Sequence, residues 1–142
     1  MSLVNDSKVI LVSTGATAGT SDVDSDIVDA TGYQLVSFIA VLGAVTDDSV
    51  LSIEVQDNTV NSGTGMTKID STKTTDVTAA TSSDKLLITE VYRPVKRYLR
   101  AHIERNTQNA VIDSIVAILS NPRGLPTTAD ATVLAQKYGL GD

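Results

Sequence analysis

Along much of this chain, apolar positions either alternate with polar ones or form short runs, and both patterns are typical of β-strands. The clearest alternation lies between Val50 and Gln56. It is predicted to turn Leu51, Ile53 and Val55 toward a core and Ser52, Glu54 and Gln56 toward solvent. This segment is therefore predicted to be an antiparallel strand with one face exposed to solvent.

Two segments are apolar on both faces. Lys8–Ser13 is a continuous apolar run that ends at Thr14-Gly15, and Tyr33–Leu42 alternates Leu35, Ile39 and Val41 with Val36, Phe38 and Leu42. The first is predicted to be a strand that is covered on both faces, and the second is predicted to be a strand that is central in its sheet. Lys85–Val91 is a further predicted strand, followed by Pro94.

Three polar stretches are interpreted from their turn residues. Asp22–Asp29 is predicted to be extended, with its alternate acids on one face. Gly15–Thr20 is predicted to be a loop, and residues 71–84 a surface loop after a short strand near Met66–Ile69.

Two later segments fit either a strand or a helix. Residues 95–105 place Leu99 and Ile103 on one side in both readings, whereas Ala110–Leu119 is rich in β-branched residues. The β-branching favours a strand for Ala110–Leu119 and, by pairing through a turn at Asn106–Asn109, for Tyr98–Glu104. Eight strands result.

The pattern changes after Pro126. Thr127 or Thr128 is a suitable cap for a short helix that runs to Tyr138, with Gly139 as its C-terminal stop. The predicted fold is all-β: an eight-stranded, jelly-roll-like β-sandwich over residues 8–120, followed by a tail with a short helix over 121–142. A length of 142 residues predicts a single domain, 1–142.

Composition supports the strands and removes several kinds of chemistry. Val, Ile and Thr together contribute 45 residues (17, 10 and 18), and the acids divide into 14 Asp and 3 Glu, which favours strands joined by turns. There is no Cys and no Trp, and His102 is the single histidine. We therefore expect no disulfide framework, zinc cluster or Cys nucleophile, and no cofactor or metal.

The termini and hydropathy give expectations about location. Met1–Asp6 lacks the basic and apolar regions of a secretion signal, and no apolar stretch approaches the roughly 18 residues needed to span a bilayer. We expect a protein that stays in the compartment where it is made and has no membrane partner.

Charge is distributed unevenly. Residues 1–92 carry 13 acids and 4 bases, a balance of −9, whereas residues 93–105 carry five bases and Glu104, a balance of +4. The net charge of −6 is not that of a protein with a broad positive face, so direct nucleic-acid binding is not expected. The basic segment has two readings: pairing with acids on neighbouring strands, which we favour, or docking to an acidic protein surface.

Candidate catalytic and metal-binding motifs are weak. Asp22, Asp24 and Asp26 resemble the start of a calcium loop, but Ile27 and Tyr33 stand where an EF-hand needs Gly and Glu. His102 has no nucleophile elbow to accompany it and is predicted to be a surface or edge group. The glycine-rich stretches Gly15–Gly19 and Gly63–Gly65 lack a phosphate-binding signature and are read as turns. We expect no enzymatic activity and no small-molecule substrate.

The chain as a whole resembles a known family. A Val/Thr-rich β body is followed by the segment Leu87–Arg100, the apolar strand Ala110–Leu119 and the closing Asn121–Pro126. In this it is similar to capsid cement, or decoration, proteins of tailed bacteriophages, which have a jelly-roll fold. The resemblance implies a virion structural protein, made in the bacterial cytoplasm, that sits on the capsid surface and bridges major capsid subunits as a homodimer or, less often, a homotrimer.

The family has no diagnostic set of contact residues, so candidate contacts are chosen from this sequence. The expected contacts with the capsid or with another copy are Arg93, Lys96, Arg97, Arg100, Leu134 and Tyr138. Two other functions remain open at this point: a head-tail or tail protein that forms rings, and a carbohydrate-binding β-sandwich, against which an aromatic content of 4% counts.

Overall fold

The computed structural model describes residues 2–78, 82–124 and 127–141. Ten strands and one short 3₁₀ turn, Asp70–Thr72, make up its regular structure. The strands are β1 (Ser7–Ser13), β2 (Ala16–Gly19), β3 (Val23–Asp24), β4 (Val28–Asp29), β5 (Tyr33–Val45), β6 (Val50–Asn58), β7 (Thr67–Ile69), β8 (Leu86–Tyr92), β9 (Tyr98–Asn106) and β10 (Ala110–Pro122). The all-β prediction is confirmed. No described helix is long and apolar enough to cross a membrane.

The strands form two antiparallel sheets. Sheet A has the order β1-β10-β5-β8, with β2 also pairing with β10, and sheet B has the order β3-β9-β6-β7, with β4 also pairing with β9. The chain changes sheet at nearly every connection from β4 onward. This crossing pattern between two packed sheets is that of a jelly roll.

The core lies between the two sheets. Alternate residues of each long strand point inward and are buried, because successive side chains of a strand project to opposite faces. The inward set includes Phe38, Ala40 and Leu42 of β5, Leu51, Ile53 and Val55 of β6, Leu99, Ala101 and Ile103 of β9, and Ile112, Ile115, Ala117 and Leu119 of β10. Tyr33–Val45 is central in sheet A, as predicted.

Three predictions about strands need correction. The prediction of eight strands was low: Gly15–Thr20 contains β2 rather than a loop, and Asp22–Asp29 divides into β3 and β4. The division occurs because the Ser25 N–H bonds to the Ala101 carbonyl of sheet B, whereas the Asp26 N–H bonds to the Val12 carbonyl of sheet A. A segment held by both sheets cannot remain one straight strand.

The turn at Asn106–Asn109 is present, but it does not join a hairpin. It connects β9 of sheet B to β10 of sheet A, so the predicted pairing of Tyr98–Glu104 with Ala110–Leu119 is wrong. Both segments are nevertheless strands. Each finds other partners because its apolar face packs across the sandwich, where the two inner faces meet.

The polar excursion after β7 covers the edge of β6. The Val55 N–H donates to Thr72 Oγ1 at 2.8 Å, the Ile53 N–H donates to Thr74 Oγ1 at 3.1 Å, and Leu51 and Val77 exchange two backbone hydrogen bonds. The Thr89 hydroxyl of β8 also donates to the Thr72 carbonyl. The described part of the predicted surface loop 71–84 is therefore bonded to both sheets through its threonines.

The C-terminal tail is extended against β1 and contains no helix in its described part, 127–141, which corrects the prediction made from Thr127 and Gly139. The Thr127 N–H donates to the Asn5 carbonyl, and Thr132 Oγ1 accepts from the Leu11 N–H at 3.0 Å. Asp130 binds the backbone and hydroxyl of Thr132. Such local side-chain bonds compete with helical ones, and the threonines here bond to β1 instead.

Candidate functional site

Three of the four basic residues predicted as contacts are paired within the molecule. Lys96 lies 3.1 Å from Asp57 and Arg100 lies 3.3 Å from Asp24. Arg97 forms a two-pronged pair with Asp29, with Nε–Oδ1 at 2.9 Å and Nη2–Oδ2 at 2.8 Å. The favoured reading of the basic segment, internal pairing with acids on neighbouring strands, is confirmed for these three.

Arg93 is different. It follows β8, has a positive φ of 53°, and places its guanidinium 5.1 Å from the centre of the Tyr92 ring. With Tyr33, Gln34, Pro94 and Arg123 it lines an open cleft of about 320 Å³. Within the described part of the chain, neither Arg93 nor Arg123 lies in an ion pair. This end of the sandwich therefore offers two cations to an acidic group.

The two predicted contact residues of the tail are exposed. Leu134 is 102% exposed and Tyr138 is 55% exposed, and Leu140 near the end of the tail is 82% exposed. Beyond the contacts of Thr132 with β1, these apolar side chains lie in solvent. The tail thus forms an arm that presents apolar side chains to solvent.

The outer face of sheet B carries a network of charged residues. Glu54 of β6 is 1% exposed, and Lys68 of β7 places its ammonium 3.2 Å from Glu54 Oε1 and 3.0 Å from Glu104 Oε1. Ser52, Glu54 and Gln56 were predicted to face solvent, and this prediction is wrong: all three are buried. They are covered because long side chains of β7 and β9 fold over them, including Arg100, which donates to Gln56 at 2.9 Å.

His102 lies inside this network. Its Nδ1 is 2.6 Å from Asp24 Oδ1 and its Nε2 is 3.4 Å from Asp22 Oδ2, and the residue is only 9% exposed. The prediction of a surface or edge position is wrong because β9 is flanked by β3 and β6. Asp22 and Asp24, two of the acids in the suggested calcium loop, are thereby directed to the imidazole.

Glu54, His102 and Glu104 bring one potential metal ligand each to within 4.8 Å of one another. A carboxylate and imidazole set of this kind suits a divalent transition metal. The Lys68 ammonium, however, already lies between the two carboxylates, and Lys73 lies 3.2 Å from Glu104 Oε2. A metal ion would have to displace Lys68, so the cluster is best described as an ion-pair network that carries its own cations.

The ion pairs predict how stability depends on pH. Hydrogen bonds from Arg97 and Thr31 hold the pKa of Asp29 far below its usual range, and Lys68 and Lys73 lower the pKa of Glu104. A carboxyl with a depressed pKa in the folded state stabilises the fold above its unfolded pKa of about 4, and this contribution is lost as the pH falls. We expect the urea midpoint to fall between about pH 5 and pH 2.5, and to fall less in Asp29→Asn.

The control for this experiment is Asp47→Asn. Asp47 is exposed in the turn between β5 and β6 and forms no ion pair within the described residues. Its substitution should leave the pH profile unchanged. Equal loss of stability on acidification in Asp29→Asn and the parent would contradict the assignment of this effect to the Asp29–Arg97 pair.

The outer face of sheet A is apolar. We call it the A face; its exposed or half-buried apolar residues are Val9 and Leu11 of β1, Val116 and Ile118 of β10, Leu35, Ile39 and Val41 of β5, and Leu86, Ile88 and Tyr92 of β8. One row runs straight across the sheet as Leu11–Val116–Ile39–Ile88. The sequence predicted burial of both faces of Lys8–Ser13, but in the single chain Leu11, Leu86, Ile88 and Tyr92 of this face are exposed.

The A face was not identified from the sequence as a functional surface, although a signal was present. β1 and β5 are apolar on both faces, and their inner faces fill the core. The prediction that Lys8–Ser13 is covered on both faces is therefore wrong for the isolated chain: Leu11 is 39% exposed and Ile88, in the same row, is 52% exposed. An apolar face of this kind marks a binding site more often than chance.

The architecture defines the class of protein: a two-sheet jelly roll with one charged face and one apolar face. No known protein family matches the chain, and no curated protein matches it. Among solved structures, the chain is similar to part of "infectious bursal disease virus Gx strain", with a TM-score of 0.51 and 8% identity over 83% of this chain and 33% of that one.

A second similar structure is the PBSX exported protein XepA, with a TM-score of 0.48 and 18% identity over 100% of this chain and 44% of that one. This chain therefore spans about a third to less than half of the length of these two proteins. At these identities the similarity describes the fold alone.

Proposed function

We propose that this chain is a structural protein of a tailed-phage virion that attaches to the outside of the capsid and bridges major capsid subunits. The observation that carries the proposal is the projecting tail, whose Leu134 and Leu140 side chains are exposed in solvent. A chain that maintains such an arm gains free energy when a partner buries it, at about 1.5–3 kcal/mol for each leucine. The jelly-roll fold, which a virus structure also contains, is consistent with this role.

Arg93 supplies a second point of attachment. It lies in a cleft with Arg123 at the end of the sandwich, where an acidic segment of a capsid subunit would find two cations and the Tyr92 ring. Lys96, Arg97 and Arg100 are already paired, so their contribution to docking is expected to be smaller. We expect no catalysis in this role: the protein acts by binding the assembled shell more tightly than its dispersed subunits, which stabilises the shell by mass action.

The proposal is tested by sedimentation with empty shells of the phage that encodes the chain. The purified protein should sediment with intact shells and should not bind dispersed major capsid protein. Leu134→Ser/Leu140→Ser should weaken binding to shells by at least roughly tenfold, because it removes two apolar contacts. The control is Val60→Ser, a substitution at a side chain that is 57% exposed in the loop between β6 and β7, and it should bind normally.

Four outcomes would contradict the proposal. Failure to sediment with shells would contradict the capsid role. Unchanged binding by the tail variant would contradict the role of the tail in attachment. Electron microscopy that placed the protein in a ring at the head-tail joint would favour the alternative of a ring-forming joining protein. Specific binding to a glycan array would favour the carbohydrate-binding alternative.

A further inference from the structure

We propose that the A face is the interface between two copies of this chain, which pack sheet A against sheet A about a twofold axis. The proposal rests on the composition, size and charge of this face and does not depend on the capsid role. A dimer of this kind would hold two tails, and therefore also provides the geometry for bridging.

Composition is the first argument. Rows of paired residues cross the sheet at fixed register: Leu11–Val116–Ile39–Ile88 consists entirely of aliphatic residues, whereas Val9–Ile118–Ser37–Glu90 and Ser7–Ser120–Leu35–Tyr92 also contain polar ones. Glu90 is the only carboxylate in these rows, and the Ser37 hydroxyl donates to it at 2.9 Å. An outer sheet face in water normally alternates polar residues with the inner apolar ones, so the aliphatic row has the composition of a buried layer.

The distribution of charge favours a second copy of this chain as the partner of the A face. The chain carries a net charge of −6, and the outer face of sheet B is a network of Asp, Glu, Lys, Arg and His. Two copies repel each other at most orientations, but the A face is nearly uncharged and can approach its own copy without bringing like charges together. A basic partner, by contrast, would find no complementary charge on this face.

Size is the third argument. Four strands at about 4.8 Å and about six residues at about 3.4 Å give a face of roughly 19 by 20 Å. A stable interface buries about 800 Å² of accessible surface on each partner. A corrugated sheet of this size supplies at least about half of that area from the A face alone.

Mass measurement by analytical ultracentrifugation tests the proposal on the full chain. We expect a dimer of about twice 14.9 kDa at micromolar concentration. Ile88→Glu should raise the dissociation constant by roughly a hundredfold, because symmetry places two unpaired charges in the apolar layer. The matched control is Val95→Glu at a side chain that is 94% exposed outside the A face, and it should remain dimeric.

Ile88→Thr provides a second variant that keeps the β-branch, in case the charged variant does not fold, and it should weaken the dimer by roughly tenfold. Circular dichroism and the urea midpoint check that each variant is folded. A monomeric parent chain at 100 µM, a trimer or larger ring, or a dimer that is equally strong in the Ile88 variants would overturn the proposal. Each of these results can be obtained without the capsid, so failure here is distinct from failure of the proposed function.

Discussion

Replacing Arg105 with methionine is expected to lower the free energy of unfolding by about 3 kcal/mol. Arg105 is 6% exposed and donates to three backbone carbonyls: Ser21 at 2.7 Å, Thr17 at 2.6 Å, and Ala110. Methionine retains much of the aliphatic volume but leaves these carbonyls without their donor. Each buried acceptor that loses its partner costs about 1–3 kcal/mol, reduced where water can enter.

The measurement is urea unfolding, supported by hydrogen exchange. Because Arg105 joins β9 to the segment that contains β2, amide exchange should rise most in Ala16–Asp24. The matched control is Arg123→Met, which changes an exposed arginine and should alter stability by less than about 0.5 kcal/mol. A loss below about 1 kcal/mol in the Arg105 variant would show that Arg105 does not hold this end of the sandwich together.

Phe38→Ala should have an effect at least as large, a loss of about 3–5 kcal/mol. Phe38 is the only phenylalanine in the chain and is 0% exposed on the inner face of β5, between Thr89 of β8 and Ala117 of β10. Its neighbours on both strands are smaller, so the ring fills the space between the sheets. Removing it leaves a cavity that a close-packed sandwich relaxes into only partly.

Two substitutions bracket this prediction. Phe38→Leu keeps most of the volume and should cost less than about 1.5 kcal/mol. Tyr138→Ala changes an aromatic side chain that is 55% exposed in the C-terminal tail, and it should cost much less than Phe38→Ala. If Phe38→Ala and Tyr138→Ala had similar urea midpoints, the assignment of Phe38 to the centre of the core would be wrong.

The sequence predicted strands best where apolar and polar residues alternate, because the apolar residues then mark the one face that points to the core. Leu51, Ile53 and Val55 are buried as expected, because period-two spacing needs only one core to satisfy it. The same pattern was wrong about Glu54 and Gln56. Their cover comes from Lys68 and Arg100, which are distant in the sequence, and no local pattern reveals such partners.

The sheet to which each strand belongs could not be predicted from local sequence patterns either. The turn after Asn106 was predicted correctly, but a turn of this length can close a hairpin or cross between sheets. The buried Arg105 and the apolar inner face of β10 favour the crossing. In the tail, Thr127 was predicted as a possible helix cap, but no helix forms there: its hydroxyl donates to the Ser7 carbonyl of β1, and Thr132 Oγ1 accepts from the Leu11 N–H of the same strand.

Some residues of the candidate site were predicted from the sequence, and others became apparent only from the fold. Arg93, Leu134 and Tyr138 were predicted as contact residues and are exposed, whereas the partners of Lys96, Arg97 and Arg100 follow from the fold. The A face was not recognised from the sequence, although β5 was correctly read as apolar on both sides. An apolar pattern is the same whether the second side is covered by the chain's own fold or by another molecule.

The two threonine-bearing segments that lie along β1 and β6 have a consequence for how copies of this chain can combine. Residues 127–132 and 72–77 occupy backbone groups that would otherwise recruit a foreign strand. Growth by ladder extension, the route to fibrils, is thus blocked along these margins. Along β1 and β6, copies can therefore associate only through side-chain surfaces, which can separate and rebind without breaking main-chain hydrogen bonds.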